Sequence, residues 1–121
     1  MIGGYFNLLT GSAAKFPYTT KIRVLKRFTS IDRGFIRFIM EFKDHSELHV
    51  FEYVDIRLKK LNYSYHWQIK EKVLIKRWDN APHHKEIKTF PNHVHFKEDV
   101  ESSLEPSFFD ILQIIDQYFS N

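Results

Sequence analysis

The stretch YSYHWQIKEKVLIKRWD, residues 63–79, has the pattern of two antiparallel strands joined by a short loop. Aromatic residues alternate with polar ones, which is typical of a sheet with one buried face. A loop of even length sets Tyr65 opposite Trp78 on the apolar face. The same loop sets His66 opposite Arg77 on the polar face. An odd loop would bury polar side chains, so the sequence predicts the even register.

Three more strands are expected before this hairpin, because runs of branched and aromatic residues alternate there with turn residues. The predicted strands cover Lys21–Phe28, Phe35–Phe42 and Glu47–Asp55, with a turn at Lys43–Ser46. Ahead of them, apolar residues at intervals of three and four predict a helix over Tyr5–Lys15.

The end of the chain has the clearest helical pattern. Ser107 is a suitable cap, Asp110 stands at the third helical position, and an apolar stripe continues to Phe119. Between the hairpin and this helix, Asn80–Val100 has two prolines and no sustained period, which predicts a long loop. The expected fold is a single α+β domain over residues 1–121: a mostly antiparallel sheet of about five strands, with a helix at each end.

Composition excludes several classes of protein. The 121 residues include no cysteine, which rules out disulfides and thiol nucleophiles. No apolar run approaches the roughly 20 residues of a membrane span, and the first residues lack the features of a signal peptide. Glycine-rich phosphate loops and nucleophile elbows are absent as well. We therefore expect a soluble cytoplasmic protein that makes no membrane contact.

The charges are strongly divided along the chain. Residues 1–97 hold all 18 lysines and arginines and nine acids, a net charge of +9, whereas residues 98–121 hold six acids and no base. A basic body suits a polyanion such as RNA, and the acidic end is in a position to tune or mask that surface. Simple solvation of both charge sets is the alternative.

The densest group of chemically active side chains lies near Arg77. Four histidines fall within thirteen residues: His83, His84, His93 and His95. Imidazole is the usual proton carrier at neutral pH, and a guanidinium holds phosphate well. These parts predict a metal-independent ribonuclease, in which one histidine deprotonates the 2′-hydroxyl and a second acid protonates the 5′ leaving oxygen. His66 is a further candidate base, because Arg77 across the hairpin would lower its pKa.

Other residues near this group have supporting roles in the same interpretation. Candidate RNA-binding residues are Trp78, Lys76, Lys85 and Lys88. Three residues are expected to shape the loop, namely Asp79, Asn80 and Pro82. Trp78 has a competing interpretation as a core residue.

Metal binding is the competing chemistry for the same segment. His93 and His95 point the same way if the chain is extended there, and His83, His84 or Asp79 could complete a site. The spacing matches no strong zinc signature, so we expect no metal and no other cofactor.

Three motifs together resemble the TumE-type toxin family: YSYHWQ at 63–68, RWDNAPHH at 77–84 and TFPNHVH at 89–95. The resemblance implies a growth-inhibiting toxin of a type II toxin–antitoxin system, neutralised by a small DNA-binding antitoxin encoded nearby. Two functional classes stay open at this point. One is the ribonuclease, and the other is a non-catalytic module whose basic, aromatic surface blocks an RNA or protein target. A homodimer is also open.

Overall fold

The computed structural model describes residues 1–121 and consists of two helices and one seven-stranded antiparallel sheet. The strands lie side by side in chain order, so every connection joins neighbours. The elements are α1 Ile2–Lys15, β1 Thr19–Thr29, β2 Arg33–Phe42, β3 Glu47–Asp55, β4 Lys60–Gln68, β5 Leu74–Asp79, β6 His93–Phe96, β7 Asp99–Ser102 and α2 Phe108–Ser120. The α+β class with a helix at each end is confirmed.

The register of the β4–β5 hairpin agrees with the prediction. Tyr65 pairs with Trp78, and His66 pairs with Arg77. Tyr65 and Trp78 are both buried, as the apolar face requires. The hydrophobic pattern therefore determines which polar side chains meet on the opposite face.

The prediction of one long loop over Asn80–Val100 is wrong in its second half. His93–Phe96 and Asp99–Ser102 form a short hairpin that extends the sheet from five strands to seven. Each strand has only four residues, too few for a visible alternation. The turn between them contains Lys97 at a φ of 58°. Glycine or asparagine usually adopts this conformation, so a lysine at this position does not indicate a turn in the sequence.

Both helices pack on the same face of the sheet, and this is where the core lies. Phe6 and Leu9 of α1 and Ile111 and Ile115 of α2 are fully buried. The predicted cap of α2 is confirmed: the Ser107 hydroxyl accepts from the Asp110 N–H, and the Asp110 carboxylate accepts from the Ser107 N–H.

One buried acid belongs to this core. Glu52 accepts hydrogen bonds from the hydroxyls of Tyr5 at 2.5 Å and Tyr65 at 2.6 Å. Lys60 also donates to the Tyr65 hydroxyl, at 2.8 Å. Burial raises the pKa of Tyr5 and lowers that of Lys60. The network ties α1 to the sheet and satisfies a carboxylate that would otherwise be costly to bury.

The other face of the sheet is not covered by either helix. Alternation along the strands directs a second set of side chains to this open face, among them Arg37, Phe51, His66 and Arg77.

No helix of the protein is long and apolar enough to span a membrane.

Candidate active site

The candidate site lies on the open face where β4, β5 and β6 meet. Arg77 on the central strand pairs with His66 on one side and with His95 on the other. Two residues further along β5, Asp79 pairs with His93. Because alternate residues of a strand share a face, all five of these side chains project from the same side of the sheet.

Asp79 holds this group together. Its Oδ2 atom accepts from Arg77 Nε at 2.8 Å, and its Oδ1 atom lies 3.0 Å from His93 Nε2. The Ala81 N–H also donates to Oδ1, at 2.9 Å. Burial opposes the charged carboxylate, but these donors outweigh it and lower the pKa of Asp79. The side chain is therefore a fixed anion beneath Arg77.

His93 and His95 form a contacting pair. His93 is only 2% exposed, and its Nδ1 atom donates to the carbonyl oxygen of Pro91 at 2.9 Å. That bond orients the ring so that its Nε2 atom lies 3.0 Å from His95 Nε2. The His95 side chain is 26% exposed, and its Nε2 atom lies 3.4 Å from Asp79 Oδ2. His93 is thus placed to position a neighbour, while His95 is reachable from solvent.

His66 stands on the opposite side of Arg77. Its Nδ1 atom accepts from Arg77 Nη1 at 3.2 Å, and its Nε2 atom donates to Gln68 Oε1 at 3.1 Å. Burial is the main cause that lowers the pKa of His66, and the Arg77 charge adds to it. The direction agrees with the sequence-based expectation, although burial contributes more than the arginine. Burial also lowers the pKa of His95, against the opposing effect of Asp79.

These lowered pKa values predict that acid destabilises the fold. Both histidines take up protons more readily in the unfolded chain, so the free energy of unfolding should fall as pH drops through about 6.5. Asp79 adds a loss of the same sign at lower pH, below its ordinary value of 3.8. Urea titrations at pH 7.5 and 5.5 would measure the difference.

A double variant serves as the control for this pH effect. Replacing His66 and His95 together by glutamine should flatten the difference between the two pH values, because glutamine does not titrate. Equal stability of the unmodified protein at both pH values would contradict the expectation.

The structure separates the candidate residues into two groups. His84 joins the cluster, with its ring centre 4.8 Å from that of His93 and 5.6 Å from that of His95. His83, Lys85 and Lys88 are exposed on the loop between β5 and β6, and their side chains form no hydrogen bond or salt bridge with the cluster.

The strand residues Trp78 and Lys76 lie on the other face. Trp78 is 4% exposed within the core, and the ammonium of Lys76 lies 5.5 Å from its ring centre. The cause is the alternation along β5, which directs Arg77 and Asp79 to one face and Lys76 and Trp78 to the other. A buried indole offers no surface on which a base could stack.

Asn80 forms two hydrogen bonds with the backbone of the neighbouring strand β4. Its Oδ1 atom accepts from the Tyr63 N–H at 3.0 Å, and its Nδ2 atom donates to the Leu61 carbonyl at 3.1 Å. Pro82 is exposed in the following turn. Asp79 also bonds the loop backbone, but its contacts with Arg77 and His93 give it a second role that its turn-like sequence context conceals.

The sequence-based predictions did not include two residues of the open face, namely Arg37 and Phe51. They pair with each other across β2 and β3, and Phe51 pairs in turn with Ser64, the neighbour of Asp79. The sequence pattern that indicates the open face at this position is the alternation along β2, in which Arg37 falls between the buried residues Ile36 and Phe38.

The acidic end of the chain does not cover this cluster. Register places Glu101 of β7 opposite Val94, a core residue, and so on the helix side of the sheet. Glu105 lies 3.9 Å from Lys60, and Asp110 caps α2. Glu101, Glu105 and Asp110 therefore lie away from the histidine cluster.

Three histidines could also hold a metal ion. Ligand atoms of His84, His93 and His95 lie within 4.8 Å of one another. The orientation of His93 by a backbone carbonyl is typical of metal-ligating histidines, and three imidazoles suit Zn²⁺. His83 is not part of this group.

Comparison with known families identifies the class as a toxin: the model described as Toxin TumE matches residues 13–119. The chain belongs to the TumE toxin family, and membership makes it a toxin that is paired with an antitoxin. No curated protein and no solved structure matches significantly.

Proposed function

We propose that this toxin cleaves RNA by acid–base catalysis at Arg77, His66 and His95. The observation that carries the proposal is the arrangement of Arg77 between two imidazoles on an uncovered face of the sheet. The strands on either side place the backbones of His66 and His95 about 10 Å apart, since adjacent strands are separated by roughly 4.8 Å. A phosphate bound at Arg77 would therefore have an imidazole on each side.

Arg77 supplies the phosphate site. Its Nε and Nη1 atoms are engaged with Asp79 and His66, whereas its Nη2 atom makes no hydrogen bond. The free donor can bind a phosphate oxygen, and the fixed carboxylate keeps the guanidinium in place. Charge that develops on the phosphate oxygens in the transition state would meet this preorganised cation.

The environments of the two histidines suggest their roles. Burial and the Arg77 charge both oppose protonation of His66, which keeps the ring neutral, and its Nδ1 atom would take the proton of the 2′-hydroxyl once substrate displaces Arg77 Nη1 from it. Burial lowers the pKa of His95 although the Asp79 carboxylate favours its proton, so the protonated ring of His95 would be a stronger acid than a free imidazolium. The 2′-oxygen forms a bond to phosphorus, the bond to the 5′-oxygen breaks, and His95 protonates that oxygen. The products are a 2′,3′-cyclic phosphate and a 5′-hydroxyl.

The toxin's partner is proposed to be a small DNA-binding antitoxin encoded nearby, as the family resemblance implies. Its binding surface is not assigned by this proposal. Non-catalytic RNA binding is the competing function, and the same assays separate it from cleavage.

A metal titration tests the proposed chemistry. Purified toxin should cleave single-stranded RNA in excess EDTA, with an unchanged melting temperature, because imidazoles and a guanidinium supply the whole reaction. Added Zn²⁺ should inhibit, since it would occupy the nitrogen lone pairs of His93 and His95. Mg²⁺ serves as the control, because it prefers oxygen ligands and should have no effect.

The opposite pattern would overturn metal-independent catalysis. Cleavage that is abolished by EDTA and restored by stoichiometric Zn²⁺ would make the histidine cluster a catalytic metal centre. RNA that is bound but left intact under every condition would favour the non-catalytic alternative.

A further inference from the structure

A continuous row of paired residues leads from the candidate active site across the open face. From Asp79 on β5 the row passes through Ser64 to Phe51, then to Arg37 and to Lys26 at the far strand. Successive strands lie about 4.8 Å apart, so Arg37 is roughly 14 Å from the backbone of Asp79. The row is long enough to contact several nucleotides of a chain that enters the site.

The open face carries cavities that are lined by aromatic rings and cations. A cavity of about 500 Å³ lies over β1, β2 and β3, and its lining includes Lys26, Phe28, Phe35, Arg37, Phe51 and Tyr53. Two smaller cavities nearer the active site share Arg37 and Phe51 with it. The three cavities therefore lie next to one another between β1 and Arg77.

The chemistry of the lining is that of a nucleic-acid surface. The Arg37 guanidinium carbon lies 4.0 Å above the Phe51 ring, which makes a flat platform for stacking. Phe28 and Phe35 stack on each other, with ring centres 5.9 Å apart. No carboxylate lines the 500 Å³ cavity, and neither Lys26 nor Arg37 forms a salt bridge. Positive charge beside exposed rings fits a polyanion with accessible base faces.

We propose that the part of the open face that runs from Lys26 through Arg37 and Phe51 to Ser64 is a binding site for single-stranded RNA. The inference rests on the proposed function, because it assigns the surface that presents substrate to Arg77. Bases would stack on the Arg37–Phe51 platform and on Phe35, while Lys26 meets the backbone phosphates. RNA-binding sheets that expose aromatic side chains stack roughly two or three bases. A duplex would bind less well, because its base faces are already paired and stacked.

The test measures binding without cleavage. A fluorescein-labelled single strand with 2′-O-methyl groups at every position has no nucleophile for the proposed reaction, so its anisotropy reports affinity alone. Phe51→Ala should weaken binding about tenfold, the usual effect of removing one stacking partner. Phe51→Trp keeps an aromatic face and should retain affinity. Melting temperatures would confirm that each variant is folded.

Phe109→Ala is the matched control. Phe109 is 41% exposed on α2, away from the open face, so its removal should leave RNA affinity unchanged. Equal affinity of the Phe51→Ala and Phe109→Ala variants would overturn the proposal, as would a duplex of the same sequence that binds as tightly as the single strand. Loss of antitoxin binding in Phe51→Ala, with RNA affinity unchanged, would instead make this face a protein interface and would also overturn it.

Failure of this site and failure of the proposed cleavage give different results. If the RNA-binding site exists but catalysis does not, Phe51→Ala weakens binding although no substrate RNA is ever cut. If catalysis exists but the RNA lies elsewhere, Phe51→Ala leaves both affinity and kcat/KM unchanged. If both are correct, the variant raises KM more than it lowers kcat.

Discussion

His95→Ala is expected to reduce RNA cleavage by roughly 10²–10⁴-fold while the protein stays folded, the usual effect of removing a positioned proton-transfer group. Its side chain is partly exposed, beside Arg77, the proposed phosphate-binding residue, and against the Asp79 carboxylate. Single-turnover cleavage of a defined RNA would measure the loss. His66→Ala should have an effect of similar size.

Three other histidines allow a graded comparison of the loss of activity. His93→Ala should also impair cleavage, through the loss of the ring that orients His95. His83→Ala should have a much smaller effect, because its side chain is exposed outside the cluster. His45 lies on the turn between β2 and β3, outside the histidine cluster, and His45→Asn is the control variant. Full activity in every folded single variant of His66, His83, His93 and His95 would refute the acid–base assignment.

Arg77→Ala is expected to lower both RNA affinity and the rate of cleavage, with kcat reduced about 10²–10³-fold, as for loss of one preorganised donor. Arg77 would act on the phosphate in the ground state and in the transition state alike. Arg77→Lys keeps the charge but loses the planar fork that bonds Asp79 and His66, so it should rescue affinity better than rate.

The salt dependence of binding separates these contributions. Loss of one phosphate contact should reduce the slope of log affinity against log salt by about one. Asp79→Asn is a useful companion, because it removes the anion that fixes Arg77 without removing the cation. An Arg77→Ala variant that binds and cleaves like the unmodified protein would exclude this residue from the site.

Part of the site could be predicted from sequence because it depends on hydrophobic alternation. Burial of Tyr65 and Trp78 determines the hairpin register, and that register alone places His66 opposite Arg77. The same alternation shows why Trp78 is unavailable to RNA: a residue beside Arg77 in the chain points to the other face. Local periodicity was therefore sufficient for the half of the site that lies on long strands.

The other half depended on pairing between short segments. His93 and His95 reach the site only because the four-residue strand β6 pairs with the edge of β5. Four residues are too few for their alternation to reveal a strand in the sequence. Asp79 has the sequence signature of a loop-shaping residue, and its partnership with His93 follows only from that added strand. The Arg37–Phe51 platform likewise requires knowledge of which strands are neighbours.

The most direct test of RNA cleavage by this toxin is a map of RNA ends in cells. The chain would be induced alone, together with its antitoxin, and as the His95→Ala variant. Acid–base cleavage predicts new fragments with 2′,3′-cyclic phosphate and 5′-hydroxyl ends when the unmodified toxin is induced alone, and none in the other two cultures. Arrested growth with intact RNA would contradict it.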